Sequence, residues 1–195
     1  MKFEQLTIDQ FQRIAAIEMG ADQHANKVAI YAIMHGATFD QASALPYSEI
    51  NKSYKQIEDA LKELPALRFK QRVRVSGKNY KLMLYTDTLS AGQLLEILSY
   101  PMQTECDVIQ ALHQIMASLA RESKWYKLMP YDGAAHKERS EAFKSATMGD
   151  VWGAVSFFLM ASEGYLLIMQ KFSEAKQTKT MGKELAFRIN TAGLS

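Results

Sequence analysis

Cysteine is nearly missing: Cys106 stands alone among 195 residues. No disulfide can therefore close within the chain and no zinc ribbon can be built. The composition suits a reducing compartment, or indifference to redox state. Four prolines and ten glycines are too few for a collagenous or Pro/Gly-rich disordered chain. An excess of one charge is missing too, since 23 Lys+Arg against 21 Asp+Glu leave a formal +2. That balance does not by itself indicate nucleic-acid binding. The start, Met1-Lys-Phe-Glu-Gln5, has neither the apolar core nor the small-residue cleavage site of a signal peptide, so no secretory leader is expected.

Motifs that carry chemistry are also wanting. A phosphate-cradling loop needs an early glycine before Gly-Lys-Ser/Thr. Gly77-Lys78 has Arg72 at that place and Gly182-Lys183 has Gln177, which excludes P-loop chemistry. No dinucleotide-binding glycine pattern and no Gly-x-Ser-x-Gly elbow occurs. Cys106 and His113 share a face of one expected helix, but two turns rise about 10.5 Å, too far for one metal ion. His24 and His35 fail in the same way, and Cys106 reads as a small buried hydrophobe. His136 with Glu138 and Glu141 could form an acidic-histidine cluster. The interleaved Lys137 and Arg139 favour a solvated, salt-bridged helix surface instead. No metal, no cofactor and no enzymatic activity is expected.

The longest apolar run spans residues 151–169. Asp150 at its entrance and Glu163 inside it oppose a bilayer span, because a carboxylate near the membrane centre costs roughly 2.5–3.5 kcal/mol. A helix of about residues 150–175, buried on nearly all sides in a core or between subunits, is expected.

What is present is helical punctuation. Thr7-x-x-Gln10 and Ser90-x-x-Gln93 are capping boxes, each followed by apolar residues at helical spacing. They open helices ending near Gly20 and before Pro101. The two stretches, Leu6–Ile14 and Leu89–Ile97, echo each other. Further helices are expected over residues 22–35, over 39–45, from a cap at Ser48 to near Pro65, over 104–122, over 136–148 and over 150–175. Residues 125–135 read as a loop.

Between residues 68 and 75 the period changes to 2, then Ser76-Gly77-Lys78 supplies turn chemistry and residues 79–85 return. This is a β-hairpin near residues 68–85. Phe69, Val73, Val75, Tyr80, Leu82 and Leu84 should pack on helices or on another strand, because two strands alone are marginal. The expected fold is mainly α (α+β): a single helical domain of six or seven helices over residues 1–175 carrying the hairpin. A basic arm, residues 176–195, would order on a partner.

The hairpin holds the sequence's most polarised feature. Arg68, Lys70, Arg72, Arg74, Lys78 and Lys81 lie between Leu64 and Thr86 with no acidic residue among them. Four of them alternate along one strand, which sets them about 6.6 Å apart on one face. Such a row either blunts an exposed strand edge or touches an anionic surface. Trp152, Phe157 and Phe158 on the apolar helix, with neighbouring methionines, are candidates for core filling or for an interface.

Val73-Arg-Val-Ser-Gly-Lys-Asn-Tyr-Lys-Leu82, followed by Asp87-Thr-Leu-Ser-Ala-Gly-Gln-Leu-Leu-Glu-Ile97, resembles small virion and tail-assembly proteins of tailed phages of Bacteroidota, the crAss-like group included. Leu6 to Phe11, Gly77 to Tyr80 and Leu89 to Gln93 carry the resemblance, with Ser90 where that layout has Thr. It covers the first half of the chain. It implies a non-enzymatic structural or packaged cargo protein of the virion, assembled in the host cytoplasm, in several copies, and contacting other virion proteins. DNA or an acidic protein would meet the basic hairpin. The alternatives are a tail-assembly chaperone that holds a tape-measure segment in a Met- and Phe-lined groove, and an enzyme with a site assembled from distant residues.

Overall fold

Helix starts in this chain are set by reciprocal side-chain caps. Thr7 with Gln10, Thr38 with Gln41, Ser90 with Gln93 and Thr104 with Asp107 each close a box, the hydroxyl accepting from one amide and the longer side chain accepting from another. They open α1 (Ile8–Ala15), α3 (Phe39–Ser43), α5 (Ala91–Ser99) and α6 (Glu105–Leu119). Asp22 caps α2 (Gln23–His35), which Gly36 ends at φ 64°. Helix α4 spans Tyr47–Lys62. It begins before Ser48, and the Pro46 carbonyl accepts from the Glu49 and Ile50 amides, so Pro46 and not Ser48 occupies the cap.

The computed structural model describes residues 2–17, 22–62, 69–101, 104–124, 127–154, 156 and 157. Among them the fold is mainly α, with one four-stranded antiparallel sheet in the order β1-β2-β3-β4. The strands are β1 (Arg72–Val75), β2 (Lys78–Leu82), β3 (Ala120–Lys124) and β4 (Lys127–Leu128). Ser76 and Gly77, at φ 48° and 79°, make the two-residue turn between β1 and β2, with the positive φ at both positions that twist-matched hairpin turns need. Residues 69–71 precede the strand, so β1 is shorter than the expected run from Arg68, which lies outside the described residues.

The hairpin finds its third strand where a helix was expected. Helix α6 stops at Leu119, and Ala120 turns extended at φ −92°, ψ 132°. Leu82, Lys81 and Tyr80 then pair with Ala120, Arg121 and Glu122. The Met83 amide also donates to the Leu119 carbonyl at 2.8 Å. The strand ladder thus satisfies backbone groups that a longer helix would have paired internally. The expected loop over 125–135 likewise contains β4.

Helix α6 is the central element. Leu112, Ile115, Met116, Ala117 and Leu119 are buried, and α1, α5 and α7 (His136–Phe143) pack around it. Each such large apolar side chain contributes about 1.5–3 kcal/mol on full burial. Polar ties are added across the same contacts. Gln12, itself buried, donates through Nε2 to the Ile109 and Gln110 carbonyls at 2.7 Å and lies 3.0 Å from His113 Nδ1. A second cluster gathers Val28, Tyr31, Ala32, Ala42 and Ile50 from α2, α3 and α4. His35 is exposed and stacks on the Tyr31 ring at 4.2 Å. Cys106 is exposed, because it sits in the first turn of α6 before that helix enters the core.

The helix expected over 136–148 ends at Phe143. The next residues pair with the N-terminal segment: the Ile8, Asp9 and Met148 amides donate to the Ala146, Lys144 and Leu6 carbonyls. A further helical stretch covers 148–154. Trp152 there is half-buried, its ring edge-to-face with Phe3 at 5.0 Å. The chain divides into two units, Met1–Val155 and Ser156–Ser195. Of the second, residues 156 and 157 are described, both helical and half-buried. Phe158, most of the expected 150–175 helix and the basic arm from Lys176 lie outside the described residues. No described helix is long and apolar enough to cross a membrane.

Candidate functional site

The sheet separates its residues by alternation. Val73, Val75, Tyr80 and Leu82 face inward, where the Tyr80 ring lies 5.3 Å from that of Phe143. Arg72 and Arg74 face outward and are exposed. Arg72 stands opposite Lys81 on β2, and Lys81 opposite Arg121 on β3. Directly paired residues have Cβ atoms about 4.5–5.5 Å apart, so three cations form a row across three strands, with Arg74 beside it. Arg72, Arg74 and Lys81 form no ion pair among the described residues. Arg121 is held by a hydrogen bond from Nε to the Met129 carbonyl at 3.0 Å.

The other expected cations separate from this row. Lys70 pairs with Asp150 at 2.7 Å and Lys78 with Glu138 at 3.0 Å, each through an acid distant in sequence. The Glu138 carboxylate raises the Lys78 ammonium above its ordinary pKa by hydrogen bonding and charge. Among the described residues the basic feature is therefore a patch over three strands, with Arg121 as a member, rather than a row along a single strand. Phe69, expected to pack with the inward residues, is about half exposed.

Beneath the sheet, β2, β3, the segment after β4 and α7 enclose a cleft of about 440 Å³. Arg139 from α7 forms part of its wall. Far from lying on a solvated helix surface, Arg139 is only 8% exposed. Its Nε donates to the Ala117 carbonyl at 2.8 Å and its Nη1 to the Asp132 carbonyl at 3.1 Å, while Nη2 is buried with no partner. The guanidinium carbon sits 4.8 Å from the Tyr131 ring centre, in cation–π geometry.

Tyr131 carries this arrangement onward, since its hydroxyl donates to Glu96 Oε2. Burial first, and then that bond, push the Tyr131 hydroxyl pKa far above its usual value, with Arg139 opposing. Ser118 Oγ also donates to Glu96 Oε2, at 3.3 Å. His136 completes the cluster, but not with Glu138 and Glu141, which pair with Lys78 and Lys144. Its Nε2 meets Ser118 Oγ at 3.0 Å, Tyr100 Oη at 3.1 Å, the Gln114 carbonyl at 3.3 Å and Glu96 Oε2 at 3.8 Å.

Ser, His and Glu in contact invite comparison with a nucleophilic triad. There the base takes the serine proton at one ring nitrogen while the acid orients the other. Here serine and acid converge on the same nitrogen, and Ser118 has 0% exposure. The geometry ties α5, α6 and α7 together and offers no path to an acyl substrate. No group of three potential metal ligands occurs among the described residues.

Of the candidate apolar contacts, Trp152 is engaged by Phe3, Phe157 belongs to the second unit, and Phe158 lies outside the described residues. Arg121 and Arg139 were missed because each lies some forty or more residues from its hairpin neighbours and sits in a stretch whose local pattern is helical. Comparison of the chain with protein-family models, with curated proteins and with solved structures yields no match.

Proposed function

We propose that this protein acts by docking, without catalysis, through the cationic outer face formed by Arg72, Arg74, Lys81 and Arg121. One observation carries the reading: the cations continue from the edge strand onto two interior strands. A charge on β1 can blunt an edge. Lys81 protects none, because it is paired with Arg72 on one side and with Arg121 on the other. Like charges directly opposite each other destabilise a sheet, by an amount comparable to the roughly 0.2–1 kcal/mol gained from favourable pairs. A partner that supplies carboxylates accounts for their retention.

Together with the resemblance of the first half of the chain, this supports a structural or packaged component of a tailed-phage virion, in several copies, whose patch meets an acidic face of a neighbouring virion protein. Packaged DNA is the alternative counter-surface. Mass spectrometry of purified particles should find the chain at stoichiometric level. Particles grown with the Arg72→Glu/Arg74→Glu double variant should lose it or carry much less. Absence of the unaltered chain from particles, or undiminished incorporation of the variant, overturns the proposal.

A second reading rests on a different surface. Leu94, Leu95 and Leu98 of α5 are 38%, 69% and 49% exposed and share one helix face. That favours a chaperone holding an apolar helical segment. Co-purification with a long helical partner and not with particles would support it.

A further inference from the structure

The outer cationic face runs onto a strand edge. Strand β1 ends the sheet order, and β2 is its neighbour on one side. The Leu82 amide donates to the Gln71 carbonyl at 2.8 Å. In an antiparallel ladder, successive residues turn their backbone groups to opposite sides. Gln71, Val73 and Val75 therefore turn theirs to β2, and Arg72 and Arg74 turn theirs to the open edge. Among the described residues no hydrogen bond meets the N–H or C=O of Arg72 or Arg74 at that edge.

Most of the usual guards of such an edge are missing. Strand β1 holds no proline, its register with β2 runs without a bulge from Arg72 to Val75, and its inward side chains are the buried Val73 and Val75. The remaining guard is charge, and charge is selective. Both arginines are exposed on the outer face and form no ion pair among the described residues. A second copy of β1 laid antiparallel along the edge sets arginine opposite arginine, because the same residues carry the edge groups in both, and like charges so placed repel. A segment that alternates acidic and apolar residues sets a carboxylate beside each guanidinium and an apolar side chain alongside the valines. A nucleic-acid phosphate can accept from the two amides but has no donor for the two carbonyls.

We propose that an acidic partner docks by adding an extended segment to the open edge of β1. Its carboxylates meet Arg72 and Arg74 on the outer face, and its backbone pairs with the N–H and C=O of the same two residues. This deepens the docking role assigned to the outer face and rests on it.

The test is a titration of the purified full chain with the capped peptide Thr-Glu-Val-Glu-Val-Glu-Thr, followed by backbone-amide NMR and hydrogen exchange. Saturable binding that salt weakens is expected. With the peptide at about ten times its Kd, exchange at the Arg72 and Arg74 amides should slow by about tenfold. Two further peptides carry N-methyl groups on the Glu amides or on the Val amides. One set faces β1 and the other faces away. Methylating the facing set should weaken binding by at least about tenfold, and the other set by about twofold or less. The Arg72→Glu/Arg74→Glu variant should lose the acidic peptide by a similar factor and bind Thr-Lys-Val-Lys-Val-Lys-Thr in its place. Lack of saturable binding, unslowed exchange at Arg72 and Arg74 in the complex, or equal response to the two methylated peptides would each overturn edge docking. Peptide bound by the unaltered chain and lost by the double variant, without slowed exchange, removes the edge and keeps the face. Undiminished incorporation of the double variant into particles removes the face itself.

Discussion

Gln93 donates its side-chain amide to the Ser118 carbonyl at 2.7 Å while its side-chain oxygen accepts from the Ser90 amide at 3.1 Å. One residue thus starts α5 and fastens it to α6, with 0% exposure. Gln10 does the same at α1, reaching the Met34 carbonyl at 3.4 Å. Gln41 closes an equivalent box at α3 but is exposed, and among the described residues its amide crosses to no other helix. Gln93→Ala should therefore cost about 2–3 kcal/mol, because two backbone groups lose their partners in a buried setting. Gln41→Ala should cost about 0.5–1 kcal/mol, the worth of an ordinary cap. Urea denaturation of the two variants checks the difference, and equal losses would refute it.

The cationic row makes an opposite kind of prediction. Arg72→Glu places an acid directly across from Lys81 and replaces a repulsive pair with an attractive one. Stability should rise by about 0.2–1 kcal/mol in low salt, and the gain should shrink as salt is added. A residue that lowers stability where it stands and is needed for incorporation is the signature of a docking surface. Thermal unfolding across a salt series measures the first half of that statement.

Gly149 lies in the helical stretch beginning at residue 148 and approaches the N-terminal segment closely. A Cβ there would come within 2.9 Å of Glu4 Cβ and 3.0 Å of the Glu4 carbonyl oxygen. Helix propensity alone would make Gly149→Ala stabilising by about 1 kcal/mol. The contact with backbone decides the sign, and a loss of about 1–3 kcal/mol is expected. Chemical denaturation shows which effect prevails.

His113 gives the chain a pH dependence. Burial first, then the charge of Lys144, lower its pKa below the ordinary 6.5, against the opposing pull of Glu141 and Asp9. The unfolded chain therefore takes up the proton first as acid is added. The stability from neutral His113 is present above about pH 6.5 and is lost as pH falls through the lower folded value. His113→Asn keeps an acceptor for the Gln12 amide and removes the titration. Its thermal midpoint should fall less between about pH 7 and about pH 5 than that of the unaltered chain. Parallel curves would show that this imidazole does not contribute.

Tyr131→Phe removes the hydroxyl shared with Glu96 and keeps the ring on Arg139. The carboxylate retains Ser118 and His136, so the expected loss is about 1–1.5 kcal/mol. A larger loss would mean that the tyrosine hydroxyl holds α5 to the 131–135 segment by itself.

Local signals made much of this fold readable. The capping boxes at Thr7 and Ser90 need three residues of spacing and form as expected. The hairpin combines period 2 with a Ser76-Gly77 turn that accepts positive φ, so its register follows. Strand β3 has neither signal: Ala120-Arg-Glu-Ser-Lys124 does not alternate, and it becomes a strand because β2, forty residues earlier, captures its backbone. The same distance hid Arg121 from the basic patch. Arg139 was read as solvated because its sequence neighbours are charged, whereas α6 and the segment around Tyr131 fold over it. The cleft is assembled from pieces that no local pattern connects.

The join between α6 and β3 has no spacer: Leu119 closes the helix and Ala120 opens the strand. Strand alternation reverses with each added residue. Lengthening the chain by one at this join would reverse the facing of Arg121 and Glu122 and take Arg121 out of line with Lys81 in the outer row. Evolution can drift in loop lengths elsewhere along this polypeptide, but here the residue count itself is constrained.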